Sequence, residues 1–271
     1  MKDRLLAAMC GDLAVDLDAA ALELAAFEYP DLDPAPSLRI LDRIAAEIGA
    51  RAAASADGAA FVCAANAVLF EEMRFNGNAA EYYDPRNSCL NDVLDRRSGI
   101  PITLAVVYME VARRLGRPVH GIGLPGHFIA QYDDGRYSAW LDPFRGGRLL
   151  DREQCRQLAK DSAGVDISGD PDALRPATRQ MILVRMANNL RAAYFRAGRF
   201  DKVVETTDLL MQAYPAPDHH RIRGVAHVRL RKLGAARSDL ERYLESAPDA
   251  ADRADVVKQL EAIHRRLATL N

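Results

Sequence analysis

Residues 101–144 read PITLAVVYMEVARRLGRPVHGIGLPGHFIAQYDDGRYSAWLDPF, and the period of their apolar residues changes once along the way. Over 101–115 the chain is apolar almost all the way round a helix, through Ile102, Leu104, Val106, Val107, Tyr108, Met109, Val111 and Leu115. Only Glu110 and the arginines near the end interrupt it. A helix of that kind is wrapped by protein on nearly every side. Pro101 suits its start, where the N–H has no intrahelical partner, and Gly116 and Pro118 end it. Strand-like alternation follows over 119–122, 127–132 and 136–141, with Asp133-Asp134-Gly135 as the hairpin turn between the last two. The hairpin puts His127 at the head of one strand and Asp142 at the end of the next. There a carboxylate can fix the tautomer of an imidazole and stabilise its charged form, as the orienting member of a catalytic triad does. A structural histidine beside a turn-capping aspartate is the plainer reading of the same two residues.

Upstream, the chain reads as helices separated by proline breaks. Residues 17–27 are apolar at helical spacing and stop before Pro30, because the residue before proline is pushed out of the helical region. Ser37 is expected to cap a second helix over 38–54, with Leu38, Leu41, Ile44, Ala45 and Ile48 as its apolar stripe. A third helix is expected over 59–74, a turn-rich entry over 82–87 and a short helix over 88–95. Downstream, Gly, Asp and Pro accumulate over 164–176, and the rest is helical. Pro215 and Pro248 lie 33 positions apart, each closing a helix pair. Tyr194 and Val203 recur at the same offset as His227 and Ala236, which resembles the tetratricopeptide period of about 34. An ordinary helical bundle is the competing reading.

At 271 residues the chain has room for one large or two moderate domains. Its net charge of -2 carries no pull toward nucleic acid or anionic membrane, and its arginines are interleaved with acids. No apolar run approaches the roughly 18 residues of a membrane span, and the N-terminus lacks a signal-peptide pattern. Cys10, Cys63, Cys89 and Cys155 are widely spaced, as expected of reduced thiols in a cytoplasmic protein, and they build no zinc knuckle. Residues 121–126 fit GxGxxG as a string, but a strand follows rather than a helix, so the glycines are better read as a sharp turn beside His127. His219-His220 reads as an exposed inter-helix loop, with no third metal ligand at suitable spacing. No metal or cofactor is expected.

Residues 87–147, and above all the combination of GIPITL, PGHF and LDPF, closely resemble the bacterial SirB-type branch of the transglutaminase-like superfamily. In that branch a transglutaminase-like core precedes tetratricopeptide-like repeats. The resemblance implies an α+β fold, mostly helical, with a small antiparallel sheet packed on a buried central helix (a papain/transglutaminase-like core) and a C-terminal helical repeat region. It places the N-terminal helices and core in 1–165 and the repeats in 176–271. The superfamily pattern is a cysteine at the start of the buried helix, a histidine on the next strand region and an aspartate just before a proline. His127 and Asp142 match the last two. Counting back from Leu115-Gly116, the cysteine position falls at or near Pro101, which cannot be a nucleophile. The helix N-terminus that would stabilise a thiolate is retained while the thiol is absent.

The first reading is therefore a non-catalytic binding or regulatory module. Its groove, lined by Asn87, Ser88, Pro101, Thr103 and Gly126 beside the His127–Asp142 pair, would hold a peptide or small ligand, and its repeats would offer a second protein-binding face. The alternative is a cysteine hydrolase or acyl transferase in which Cys89 acts with His127 and Asp142; Thr103 and Ser88 are weaker substitutes for the missing thiol. A third reading makes Asn87, His127 and Asp142 buried hydrogen-bond partners in a scaffold.

Overall fold

The computed structural model describes residues 3–52 and 57–269. The chain divides into two compact units between Met186 and Ala187. The stretch over 164–176 in which Gly, Asp and Pro accumulate lies upstream of that division. It packs on the first unit, where Ile167 joins the core and Ala177 N–H donates to the Gly121 carbonyl at 2.8 Å.

The first unit begins with α1 (Asp3–Met9), α2 (Leu17–Ala25), α3 (Ala35–Ala52) and α4 (Gly58–Asn66). Helix α3 starts before Ser37, which is buried in its first turn. Pro36 is tolerated that early in a helix, and the Ala35 N–H ahead of it donates to the Asp33 carboxylate at 3.0 Å. The end expected for this helix, Ala54, lies outside the described residues. Helix α4 continues as a π-helical turn, Ala67–Glu72, and stops where Arg74 takes a left-handed φ of 60°. A two-residue strand β1 (Asn76–Gly77) then pairs in parallel with β2 (Ser98–Gly99), on either side of a 3-10 turn (Pro85–Ser88) and α5 (Leu90–Arg96).

Helix α6 (Pro101–Arg114) is the central helix expected at 101–115, and all its residues but Met109, Arg113 and Arg114 are buried. Glu110 is buried inside an ion network. Arg114 donates to Asp18 at 2.6 Å and to Asp42 at 2.6 Å, and Arg113 to Glu110 at 2.7 Å. Burial and the neighbouring Asp18 push the Glu110 carboxyl up to about 7. Burial also opposes ionisation of Asp18, but the Arg114 guanidinium holds its carboxyl below the usual range. Two cations in the last turn of α6 also complement its C-terminal dipole.

Strands β3 (Val119–Leu124), β4 (His127–Asp133), β5 (Ser138–Asp142) and β6 (Arg148–Leu150) form one antiparallel sheet in chain order. A Cβ on Gly121 would lie 2.7 Å from the Phe128 ring and 3.2 Å from the Met109 sulfur, so the glycine lets one face of the sheet close on α6. The other face, with Ile122, Leu124, Ile129 and Leu150, packs on Cys155, Leu158 and Ala159 of α7 (Arg152–Ala163). The fold is α+β, mostly helical, with a small antiparallel sheet on a buried central helix.

Helix α8 (Arg179–Arg196) carries the division between units, and α9 (Phe200–Ala213), α10 (Pro217–Arg229), α11 (Leu233–Ser246) and α12 (Arg253–Ala268) follow. Each of α9 to α12 packs on the next. Gly224 permits the closest approach, since a Cβ there would stand 2.8 Å from Leu240. The residues repeating every 33 positions occupy equivalent places: Tyr194 and His227 on α8 and α10, Val203 and Ala236 buried on α9 and α11.

Candidate functional site

Two tight structures set the position of His127. The turn Pro125-Gly126 joins β3 to β4, with Leu124 opposite His127 in the ladder. Gly126 has a φ of 66°, and a Cβ there would lie 2.7 Å from the Ser162 carbonyl oxygen, so both conformation and space require glycine. Asp142 ends β5 and caps a 3-10 turn, Pro143–Arg145, by accepting from the Phe144 N–H at 3.1 Å. Because Ala130 pairs with Leu141, the next step of the ladder puts Asp142 across from Ile129, diagonal to His127 on the same face.

That diagonal closes. His127 Nε2 stands 3.0 Å from Asp142 Oδ1, with the histidine 5% and the aspartate 0% exposed. The second carboxylate oxygen is buried without a hydrogen bond; its nearest cation is Arg145, at 3.6 Å. With Nε2 engaged, Nδ1 is the ring nitrogen left for chemistry or for a ligand. The Phe144 ring packs edge-on to His127, with centroids 5.9 Å apart, and Tyr82 packs edge-on to Phe144 at 6.2 Å. From α8, Arg185 Nη2 donates to the His127 carbonyl at 2.6 Å.

Asn87 and Thr103 form a second cluster. The Thr103 hydroxyl accepts from the Ile100 N–H at 3.1 Å, and its proton lies between the carbonyls of Asn87 at 2.8 Å and Ile100 at 3.0 Å. The Asn87 side chain donates to the carbonyls of Glu81 at 2.7 Å and Tyr82 at 3.2 Å, and accepts from Asn78 at 3.1 Å. These bonds tie the first turn of α6 to the segment that presents Tyr82. Pro101 is buried as the first residue of α6, and Ser88 is buried at the end of its 3-10 turn.

Cys89 caps α5 and is fully buried. Its sulfur lies 3.6 Å from the Pro85 carbonyl oxygen, and its charge would be felt by Tyr29. Asp142 exerts a field on the thiol of Cys155, on α7. Burial, with the charges of Asp151 and Asp142, pushes that thiol up to about 12, far from thiolate at neutral pH. Among the described residues no group of three or more His, Cys, Asp or Glu is placed to hold a metal. His219 and His220 lie within α10 rather than in an exposed loop. His219 is 4% exposed, with Nε2 on the Tyr214 carbonyl at 3.0 Å and Nδ1 facing Arg191 at 2.9 Å.

Sequence reasoning did not include Tyr82, Phe144, Arg145 or Arg185 among the site residues. Phe144 and Arg145 follow Asp142 directly and were within reach of it. Arg185 stands 58 positions from His127 in a stretch that reads as repeat helix, with no local signal of its destination.

Comparison with known proteins agrees with this fold. A profile described as the transglutaminase-like superfamily matches residues 36–188, and one described as the tetratricopeptide repeat matches residues 190–261. A UPF0162 protein of Xylella fastidiosa is 37% identical over 253 residues, covering 91% of this chain and 89% of its own length. A UPF0162 protein of Pseudomonas aeruginosa is 32% identical over 246 residues, covering 89% and 88%. F-box only protein 21 of Homo sapiens is 29% identical over 163 residues, which are 56% of this chain and 25% of that protein. Among the described residues no helix is long and apolar enough to cross a membrane. The chain belongs to the transglutaminase-like superfamily, in the form whose core is followed by tetratricopeptide repeats, consistent with the bacterial SirB-type branch.

Proposed function

We propose that this protein is a non-catalytic transglutaminase-like binding module, in which the groove beside His127 and Asp142 holds a peptide segment of a protein partner and the repeats offer a second binding face. One observation carries the reading. The histidine–aspartate pair keeps its hydrogen bond at 3.0 Å, while the first turn of the central helix offers Pro101 and a Thr103 hydroxyl already committed to three backbone groups. Pro101 has no nucleophilic atom, and the Thr103 hydroxyl, which an adjacent base would have to activate, is held by those backbone bonds. The sulfur of Cys89 is directed to the Pro85 carbonyl, and that of Cys155 is held protonated. Similarity to a stretch that makes up 25% of F-box only protein 21 fits a core used as a module within differently built proteins. The four cysteines form no disulfide, in keeping with a reducing, cytoplasmic setting.

The test is alkylation by iodoacetamide near neutral pH, followed by intact mass and peptide mapping. Cys63 is exposed and serves as the internal reference. Cys89 should react far more slowly than Cys63. Faster reaction at Cys89, abolished by His127→Ala, would restore the hydrolase or acyl-transferase reading.

A further inference from the structure

Arg185 is a cation in an unusual position. Its Nη2 donates to the His127 carbonyl at 2.6 Å, and its guanidinium carbon stands 5.4 Å from the centre of the Phe128 ring. A Cβ on Gly123 would come within 3.3 Å of Nη1, so the glycine leaves the guanidinium its place against the sheet. No carboxylate among the described residues pairs with it. Arg113, Arg114 and Arg223, by contrast, each meet at least two carboxylates. Burial pushes the Arg185 guanidinium below its ordinary range. Taking a cation out of water with one carbonyl and one ring face as partners is unfavourable. A guanidinium has five N–H donors in a planar fork that matches a carboxylate, and the His127 carbonyl engages only one edge of it.

We propose that Arg185 anchors a carboxylate of the bound peptide, either its C-terminus or an acidic side chain, in the same site as the His127–Asp142 pair. This rests on the reading of that site as a peptide-binding groove. A single guanidinium next to a pair that already contains a carboxylate suits a monoanion better than a dianionic phosphate. The Tyr82 carbonyl accepts from Asn87 and the Tyr82 ring packs on Phe144, which in turn packs edge-on to His127.

The experiment is an array of immobilised synthetic decapeptides, with every sequence present as free acid and as C-terminal amide, and every Asp or Glu also present as its amide. It is probed with the full chain, with Arg185→Gln, Arg185→Lys and His127→Gln. Emission of Trp140 certifies the fold of each variant. The wild-type chain is expected to retain peptides whose capture falls tenfold or more when one carboxylate is amidated. Arg185→Gln should abolish that preference and Arg185→Lys should keep part of it. Should Arg185→Gln fail to fold, the amidated peptides and Arg185→Lys still decide the matter. Capture that His127→Gln abolishes, but that neither amidation nor Arg185→Gln alters, would overturn the anchor and leave the groove reading standing. Capture indifferent to His127→Gln, or no capture at all, would overturn both.

Discussion

Replacing Thr103 with valine removes one oxygen and keeps the shape of the side chain, so its effect isolates the hydrogen bonds that join α6 to the Asn87 segment. The residue is fully buried. The change leaves the Ile100 N–H and the Asn87 carbonyl without the partner they now meet at 3.1 and 2.8 Å. Each stranded buried group costs about 1–3 kcal/mol, and the added methyl returns about 0.8 kcal/mol. The first unit should lose about 2–4 kcal/mol. Trp140, the only tryptophan in the chain, sits on β5 and reports on that unit alone. With a urea slope of about 2–3 kcal/mol/M, its emission midpoint should fall by about 1 M. Thr103→Ser keeps the hydroxyl and should shift it by less than half as much. A Thr103→Val midpoint within about 0.3 M of wild type would show that the hydroxyl does not join the two segments as argued.

Glu110→Gln should raise stability above pH 7. The folded-state carboxyl at about 7 lies above the ordinary 4.5, so the folded chain holds a proton that the unfolded chain releases, and stability falls as pH rises between those values. Stability measured by urea unfolding from pH 5 to 8 should decline for wild type by about 2.5 kcal/mol and stay flatter for the variant; parallel curves would refute this. Gly126→Ala forces a side chain into a left-handed backbone and against the Ser162 carbonyl, so the Trp140-reported stability should fall by about 2 kcal/mol or more. Asp239→Asn weakens the two-pronged contact with Arg223, at 2.9 and 2.6 Å, inside the repeats. The helical signal should melt about 3 kcal/mol earlier while Trp140 emission stays unchanged at its own midpoint.

The central helix and the hairpin were legible because their physics is local. A stretch wrapped in apolar residues has one stable destination, and period-two alternation across Asp133-Asp134-Gly135 has one stable pairing, which brings His127 to Asp142. Strand β6 left no such mark, being three residues long with Leu149 turned to solvent. Nor did the parallel contact of β1 with β2, which joins residues some twenty positions apart through two-residue strands. The start of α3 was misplaced because Ser37 has the chemistry of a cap, whereas the helix already begins at Ala35 and buries Ser37 in its first turn. The same division runs through the site. His127 and Asp142 are neighbours in one hairpin, whereas Arg185 arrives from a helix whose sequence records only its own periodicity.

His127 opens β4 and Asp142 closes β5, so the pair sits at the open mouth of the hairpin and the turn lies at the opposite end. Around Gly135 that turn is exposed; the glycine itself holds a left-handed φ of 78°, so the exposed Arg136 beside it is the position to carry a side chain. It is the natural point of attachment for a tether, a fluorophore or an inserted epitope. A handle placed there leaves the ladder between Ala130 and Leu141 untouched and keeps the histidine's surroundings clear of the support. The molecule can thus be fixed to a surface in one orientation, mouth outward.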